Sequence, residues 1–355
     1  MKILFLGETY RADAQTWING IEEASGFKID TDEIKTIRFK PIRAIQAFLF
    51  IGRLLWGRFF GPKYDIVLAE RSTSYGFFSL FTNAKLKVVA QQGISDIFPN
   101  TFISRNYKRV LQHLVYRRVD LVHAWGSAMV PAMLFSGASP KKILVRPKGI
   151  DLRKFNYKSP NSEGVKIKAI VTRSLLPEYN HWVIINSVAQ LVRAGVYVEL
   201  TVIGDGSLMQ NLKKLALDLE ISHLISYVGR IPNEELPNYL QSNDLYLSTP
   251  ITEGASSSLM EAMACGLYPI VTKLPGNLSF IENNKNGKLV DVGSVASLVN
   301  AVVEYTKLSK MEIESAVNQN RVWIENFGNR ENNMKFFWKK YLEIHSSKNE
   351  SVLVD

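Results

Sequence analysis

The segment Thr249-Pro250-Ile251-Thr252-Glu253-Gly254-Ala255-Ser256-Ser257-Ser258-Leu259-Met260-Glu261-Ala262-Met263-Ala264-Cys265-Gly266 concentrates the residues of this chain best suited to chemistry. A strand ends at Ser248, a loop of small residues follows, and a run of helix formers begins near Leu259. The first N–H groups of a helix lack partners within it, and with the helix dipole behind them they attract a phosphate. Gly254 and Ala255 allow close approach to the backbone, and Ser256, Ser257 and Ser258 add hydroxyl donors. Two carboxylates, Glu253 and Glu261, bracket the loop eight residues apart. Carboxylates accept hydrogen bonds from sugar hydroxyls, so a pair can hold two sugars of one ligand. A plainer reading fits four of these residues: Ser258-x-x-Glu261 matches a capping box that completes a helix start.

The elements that must carry this segment follow from hydrophobic pattern. Short β-branched runs recur at 2–6, 65–68, 87–90, 121–124 and 143–145, each followed by a longer helical stretch. A second series occupies 166–171, 199–203, 225–228, 245–247 and 269–271. Strands alternating with helices predict parallel sheets buried on both faces, hence an α/β chain of two Rossmann-like halves. Pro147, Gly149 and the polar stretch 156–164 mark the break. The expected division is 1–150, 151–325, a terminal helix over 326–345, and a frayed tail from 346 to 355. Open parallel sheets bind ligands at the carboxyl ends of their strands, so the cleft between two such sheets is the expected site.

Composition narrows the classes. The chain has 355 residues, 46% hydrophobic and 21% charged, as in ordinary two-domain proteins. No run of about 18 apolar residues predicts a membrane span. The apolar start, Ile3–Leu6, is too short for a secretion signal and reads as a strand. The lone Cys265 excludes an internal disulfide, points to a reducing cytoplasm, and reads as small-residue helix packing. A net charge of +10 suggests an anionic partner. No nucleic-acid module is present, so nucleic acid is not the expected one. His113, His123, His181, His223 and His345 show no pairing at helical spacing, and no metal site is expected. Asp30-Thr31-Asp32 imitates a metal motif but reads as an exposed loop.

At this point the Glu253–Val271 segment resembles the signature of the retaining glycosyltransferases of family 4, which have the GT-B fold. The resemblance extends over most of 115–345. It is carried also by Asp120-Leu121-Val122-His123-Ala124, by Val145–Phe155, by Val171-Thr172-Arg173-Ser174-Leu175, by Val202-Ile203-Gly204-Asp205-Gly206 and by Val228-Gly229-Arg230. It implies transfer of a sugar from a nucleotide diphosphate donor, as co-substrate and with no cofactor, onto a saccharide or lipid-linked acceptor in cell-surface polysaccharide or glycolipid synthesis. The terminal helix is expected to pack back on the N-terminal domain. Non-catalytic nucleotide-sugar binding, or another GT-B activity such as epimerase or phosphorylase, is the competing reading.

The resemblance also implies roles. Glu253 contacts the transferred sugar and Glu261 the ribose. Gly254, Ala255, Ser256, Ser257 and Ser258 donate to sugar and diphosphate. Gly204 belongs to the donor site, Arg230 and Ile231 line the base, and Arg173 holds the diphosphate. Asp96, after a strand, either orients or deprotonates the acceptor hydroxyl or merely caps a turn. The family's lysine beyond this arginine is absent: Tyr179 or Asn180 stands there. A tyrosine hydroxyl, Lys148 or Lys273 can substitute, or the leaving group is less well stabilised.

Pro41–Phe60 reads as an amphipathic helix carrying Phe48, Leu49, Leu55, Trp56 and Phe59 beside Arg43, Arg53 and Arg58. A second basic stretch holds Arg105, Lys108, Arg109, Arg117 and Arg118. Two readings stand: the aromatics rest on an anionic membrane surface, making the protein peripheral on the inner face of the cell membrane, or they pack inward with the arginines solvated.

Overall fold

The computed structural model of the chain describes residues 1–34, 40–91, 102–159 and 166–352. It divides into two compact units, Met1–Lys148 together with the chain from Arg330 onward, and Gly149–Asn329.

The first unit is built on strands β1 (Ile3–Leu6), β2 (Ile29–Asp32), β3 (Tyr64–Glu70), β4 (Ala84–Gln91), β5 (Leu121–Ala124) and β6 (Ile143–Val145). Their order is β2-β1-β3-β4-β5-β6, with every pairing parallel. β1 and β5 are buried along their whole length, which explains their unbroken apolar or aromatic character. Asp30-Thr31-Asp32, expected in an exposed loop, instead forms the edge strand β2, in register from Ile3↔Ile29 to Leu6↔Asp32. An edge strand bonds on one side only, and here only Ile29 is buried, so no apolar run marks it. Asp32 pairs with Arg53, yet burial lifts its carboxyl above the usual carboxylate range.

The terminal helix spans Arg330–Val352, so 346–352, expected as part of a frayed tail, is helical. Lys348 anchors that end, with Nζ 2.5 Å from the Asp120 carboxylate and 3.0 Å from the Lys85 carbonyl. Met334, Phe337 and Tyr341 are buried in this unit, whose terminal helix packs on the helix Ala12–Ser25. The Tyr341 hydroxyl lies 2.6 Å from His123 Nε2 and accepts a 3.3 Å hydrogen bond from Trp17 Nε1. Burial pushes His123 down to about 3, so it sits neutral in the core.

The helix Lys40–Phe60 keeps Phe50 and Leu54 buried, with Phe50 edge-on to Phe78 at 5.1 Å. Phe48, Leu49, Leu55, Trp56 and Phe59 remain exposed, so inward packing of these side chains does not occur.

The second unit carries β7 (Ile167–Thr172), β8 (Val198–Ile203), β9 (Ile225–Gly229), β10 (Leu245–Ser248), β11 (Tyr268–Thr272) and β12 (Lys288–Val290), ordered β12-β11-β10-β7-β8-β9 and all parallel. Alternate strand residues feed two apolar layers. One joins Ala169, Val171 and Leu247 to helices His181–Arg193 and Val295–Tyr305; the other joins Ile170, Tyr246 and Val271 to the helix Ser257–Cys265. β12, three residues long at the sheet edge, had no recognisable pattern in sequence.

Candidate active site

β7 and β10 are neighbours in one parallel sheet, so the chain leaves both at the same carboxyl edge. There Arg173, just past β7, meets the loop past β10. Its Nη1 donates to Ser258 Oγ at 2.9 Å and to Ser256 Oγ at 3.4 Å, and its Nη2 pairs with the Glu253 carboxylate. The guanidinium lies 4.4 Å from the centre of the Tyr179 ring. Tyr246 donates its hydroxyl to Ser258 Oγ at 3.0 Å. Only 15% of the Arg173 side chain and 10% of that of Glu253 is exposed. Burial works against the guanidinium charge, but Glu253, Tyr246 and Tyr179 outweigh it and raise the pKa of Arg173. Its Nε is buried with no hydrogen-bond partner among the described residues.

The helix Ser257–Cys265 begins here with Ser256 as its cap, whose Oγ accepts from Leu259 N at 3.2 Å. Ser258 is therefore not the cap of a Ser258-x-x-Glu261 box; its hydroxyl serves Arg173 and Tyr246 instead. Helix geometry leaves the N–H groups of Ser257 and Ser258 without carbonyl partners inside the helix. Leu259, Met260, Ala262, Met263, Ala264 and Cys265 are buried, and burial pushes the Cys265 thiol up to about 12. Ser257 and Glu261, one turn apart, are the positions left open. Burial pushes Glu261 up to about 7, with Lys154 and Arg173 pulling in the other direction.

Close backbone contacts hold the arginine loop and the donor loop in place. Gly204 has φ +137°, and a Cβ there would lie 2.2 Å from the Arg173 carbonyl oxygen; one at Gly206 would lie 2.4 Å from that of Leu175. Leu175 N donates to the Asp205 carbonyl at 3.0 Å. Gly-Asp-Gly is thus a backbone cradle for the arginine loop. Gly276 does the same for the donor loop, since a Cβ there would meet the Glu253 carbonyl oxygen at 2.5 Å. The third clamp is Pro177–His181: Ile251 N donates to the Glu178 carbonyl at 2.9 Å and Thr249 Oγ1 to that of Asn180 at 3.1 Å. His181 Nε2 lies 3.0 Å from the Ser174 carbonyl, and burial lowers its pKa.

The structure therefore assembles Arg173, Glu253, Ser256 and Ser258 by direct contact, places Gly204 behind Arg173, and sets Glu261 within reach of its field. Gly254 is buried, with its N–H 3.2 Å from Glu253 Oε1; Ala255 is half-buried. Arg230 is exposed after β9, and Ile231 packs against the apolar layer containing Leu259 and Met260. Asp96 lies outside the described residues. Of the cations considered for the missing lysine, Lys148 is engaged in the first unit, 3.0 Å from the Asp13 carbonyl, and Lys273 is exposed. Sequence reasoning missed the Tyr179 ring, Tyr246, Gly276 and Lys154. Two of these had a signal: Tyr179 stands in the place of the family's lysine, where its hydroxyl was the expected group, and Lys154 lies in the Val145–Phe155 stretch.

The first unit shows its own charged edge beyond β1 and β3. Glu8 pairs with Arg71 at 2.8 Å, Glu8 N donates to Glu70 Oε2 at 3.3 Å, and Thr9 donates to Glu33 through N at 2.7 Å and Oγ1 at 2.9 Å. Arg71 holds a left-handed φ of 58°. Among the described residues, no three His, Cys, Asp or Glu side chains converge as a metal site would require.

The profile of glycosyl transferases group 1 matches residues 153–340, more than half of the chain. The chain belongs to this family. Among curated relatives, WcaL of Salmonella typhimurium, named for colanic acid biosynthesis, is 27% identical over 254 residues, covering 68% of this chain and 62% of that protein. The amylovoran biosynthesis glycosyltransferase AmsK of Erwinia amylovora is 30% identical over 172 residues, 47% of this chain and 42% of the relative. The chain spans less than two thirds of the length of these relatives. Among solved structures, HepE of Anabaena in complex with UDP and glucose covers all of both chains at TM-score 0.73 and 16% identity. Sucrose-phosphate synthase of Thermosynechococcus elongatus reaches TM-score 0.80 at 13% identity, over 98% of this chain and 100% of its own. These likenesses establish the fold, two Rossmann-like units of the GT-B type.

Proposed function

We propose that this chain is a retaining, metal-independent glycosyltransferase that moves a sugar from a nucleoside diphosphate donor to a saccharide or lipid-linked acceptor in cell-surface polysaccharide synthesis. The observation that carries this reading is the Arg173 guanidinium, meeting Glu253, Ser256 and Ser258 where the helix Ser257–Cys265 begins. Breaking the sugar–phosphate bond leaves an extra negative charge on the diphosphate. The amides of Ser257 and Ser258 are fixed donors for that charge, and the Arg173 guanidinium sets a positive charge beside them. They need no reorganisation as the charge develops. Glu253 grips a hydroxyl of the transferred sugar and Glu261 the ribose. Arg230 and Ile231 border the base.

Retention follows if the acceptor attacks from the face the diphosphate leaves. The bond from C1 to the acceptor oxygen forms as the bond to the phosphate oxygen breaks. That oxygen takes the acceptor proton, so no enzyme nucleophile is required. The first unit supplies the acceptor contacts, with Asp96 the candidate to orient the hydroxyl. Relatives motivate the acceptor class: an Escherichia coli relative, 26% identical over 195 residues, is named a galactosyltransferase acting on a diphosphoundecaprenol-linked sugar. Association with an anionic membrane, from the cytoplasmic side, belongs to the same proposal.

Thermal-shift screening of UDP-, GDP-, ADP- and dTDP-sugars, followed by turnover with the best donor in the presence of EDTA, tests the proposal. The expected product keeps the donor's anomeric configuration, read by NMR coupling constants. Glu253→Ala should abolish transfer in a folded protein, and Glu261→Ala should chiefly weaken nucleotide binding. Wild-type affinity and turnover in both variants, or inversion at C1, would overturn the assignment; donor binding without turnover on any acceptor would leave only the binding-protein reading.

A further inference from the structure

Of the 25 large apolar side chains exposed among the described residues, eight lie on the single helix Lys40–Phe60: Ile42, Ile45, Phe48, Leu49, Leu55, Trp56, Phe59 and Phe60. Elsewhere they occur singly or in pairs along the sequence, which needs no explanation. Here positions 45, 48, 49, 52, 56 and 59 recur at helical spacing and so share one outward stripe. The exposures of Phe48 (76%), Trp56 (68%), Phe59 (74%) and Phe60 (72%) show that nothing among the described residues covers it. The opposite side is fastened by Phe50 and Leu54, which are buried, so the helix is presented and not loosely attached.

Charge decides what fits this stripe. The helix holds Lys40, Arg43, Arg53 and Arg58 and no carboxylate. Arg53 and Arg58 stand on opposite shoulders of the buried stripe at about 100° of turn per residue. Arg53 already pairs with Asp32 and lies 5.0 Å over the Phe50 ring, while Arg43 and Arg58 are exposed. A second copy of this face would bury the aromatics but bring like charges together in a chain of net charge +10. A layer of lipid phosphates supplies the missing countercharge, and the boundary beneath it accepts tryptophan and phenylalanine rings. None of the described helices is long and apolar enough to cross a membrane.

We propose that the outward face of Lys40–Phe60 is a docking surface for an anionic lipid bilayer, with Phe48, Trp56 and Phe59 entering the interface and Arg58, on its shoulder, at the headgroups. The surface takes its purpose from the proposed lipid-linked acceptor, but vesicle binding is measured apart from transfer. The full chain is sedimented with vesicles of phosphatidylcholine alone or mixed with phosphatidylglycerol, at low and high salt. Binding should favour the mixed vesicles. The combined substitution Phe48→Ser, Trp56→Ser and Phe59→Ser should reduce it about tenfold or more, with the circular dichroism spectrum and melting temperature retained. Arg58→Gln should reduce the anionic preference chiefly at low salt. Brominated lipid should quench a share of the tryptophan emission that Trp56→Phe removes. No binding at low salt, unchanged binding of the triple variant, or a concentration-dependent dimer that the triple variant dissolves would overturn the proposal. Intact vesicle binding with no transfer to any lipid-linked acceptor would reject the acceptor and uphold the surface.

Discussion

Glu261 is the carboxylate of a helix whose other sides are packed into an apolar layer, and its pKa near 7 carries two consequences of opposite sign. Between its ordinary value of 4.5 and about 7, the folded chain holds a proton that the unfolded chain has lost. Folding is thus favoured by acid in that window, and the ionised side chain costs stability above it. Glu261→Gln should therefore raise the melting temperature at pH 8 by about 2–4 °C, after allowance for partial exposure, and leave it unchanged at pH 5. In its proposed role Glu261 accepts from a ribose hydroxyl better when ionised, so nucleotide affinity should fall as pH drops below 7, measurable by calorimetry. Tyr179 poses a second residue-scale question. Its ring, not its hydroxyl, faces Arg173, so Tyr179→Phe should retain transfer. Tyr179→Ala should slow it by roughly fivefold, about 1 kcal/mol of lost cation–π contact.

At the scale of elements, the site depends on loops that touch backbone to backbone. Gly204 combines a positive φ with a 2.2 Å approach to the Arg173 carbonyl, so no side chain can be accommodated by rotating a neighbour. Gly204→Ala should displace the arginine loop, costing at least about 2 kcal/mol in denaturant unfolding and depressing nucleotide affinity with it. If affinity stays intact, the cradle does not position Arg173. The family resemblance assigned Gly204 to the donor site; its contact with the arginine loop is a tertiary fact. The same distinction separates the helix cap. The sequence pattern offered Ser258 as the cap, but the extended backbone falls at Ser256, which caps the helix and leaves Ser258 to Arg173. The edge strands β2 and β12 escaped notice for a complementary reason, being short and bonded on one side, with little apolar surface to betray them.

For the whole molecule, the first unit is incomplete without the chain's last helix. Phe337 and Tyr341 are fully buried there with Trp17 and His123, hundreds of positions earlier in sequence. Phe337→Ala should cost about 3–5 kcal/mol, seen as early melting. Acid should act on the same core. His123 stays neutral to about 3 when folded but ionises near 6.5 when unfolded, so stability should fall as pH drops through that interval. Replacing His123 with Gln should flatten the dependence; an equally steep slope would place the acid-sensitive group elsewhere.

Local pattern determined the class of this protein. Alternating strand and helix periods specify two parallel sheets, and the run from Glu253 to Gly266 specifies its family, because both signals lie within a few consecutive residues. Tertiary structure decided what two distant segments do to one another. It set the Arg173 guanidinium against Glu253 and turned the Tyr179 ring, not a lysine, to face it. It also buried Glu261 enough to move its titration to neutrality and left the aromatic stripe of Lys40–Phe60 facing outward. A helical period shows that a helix has two faces; only packing determines which of them finds a partner within the chain.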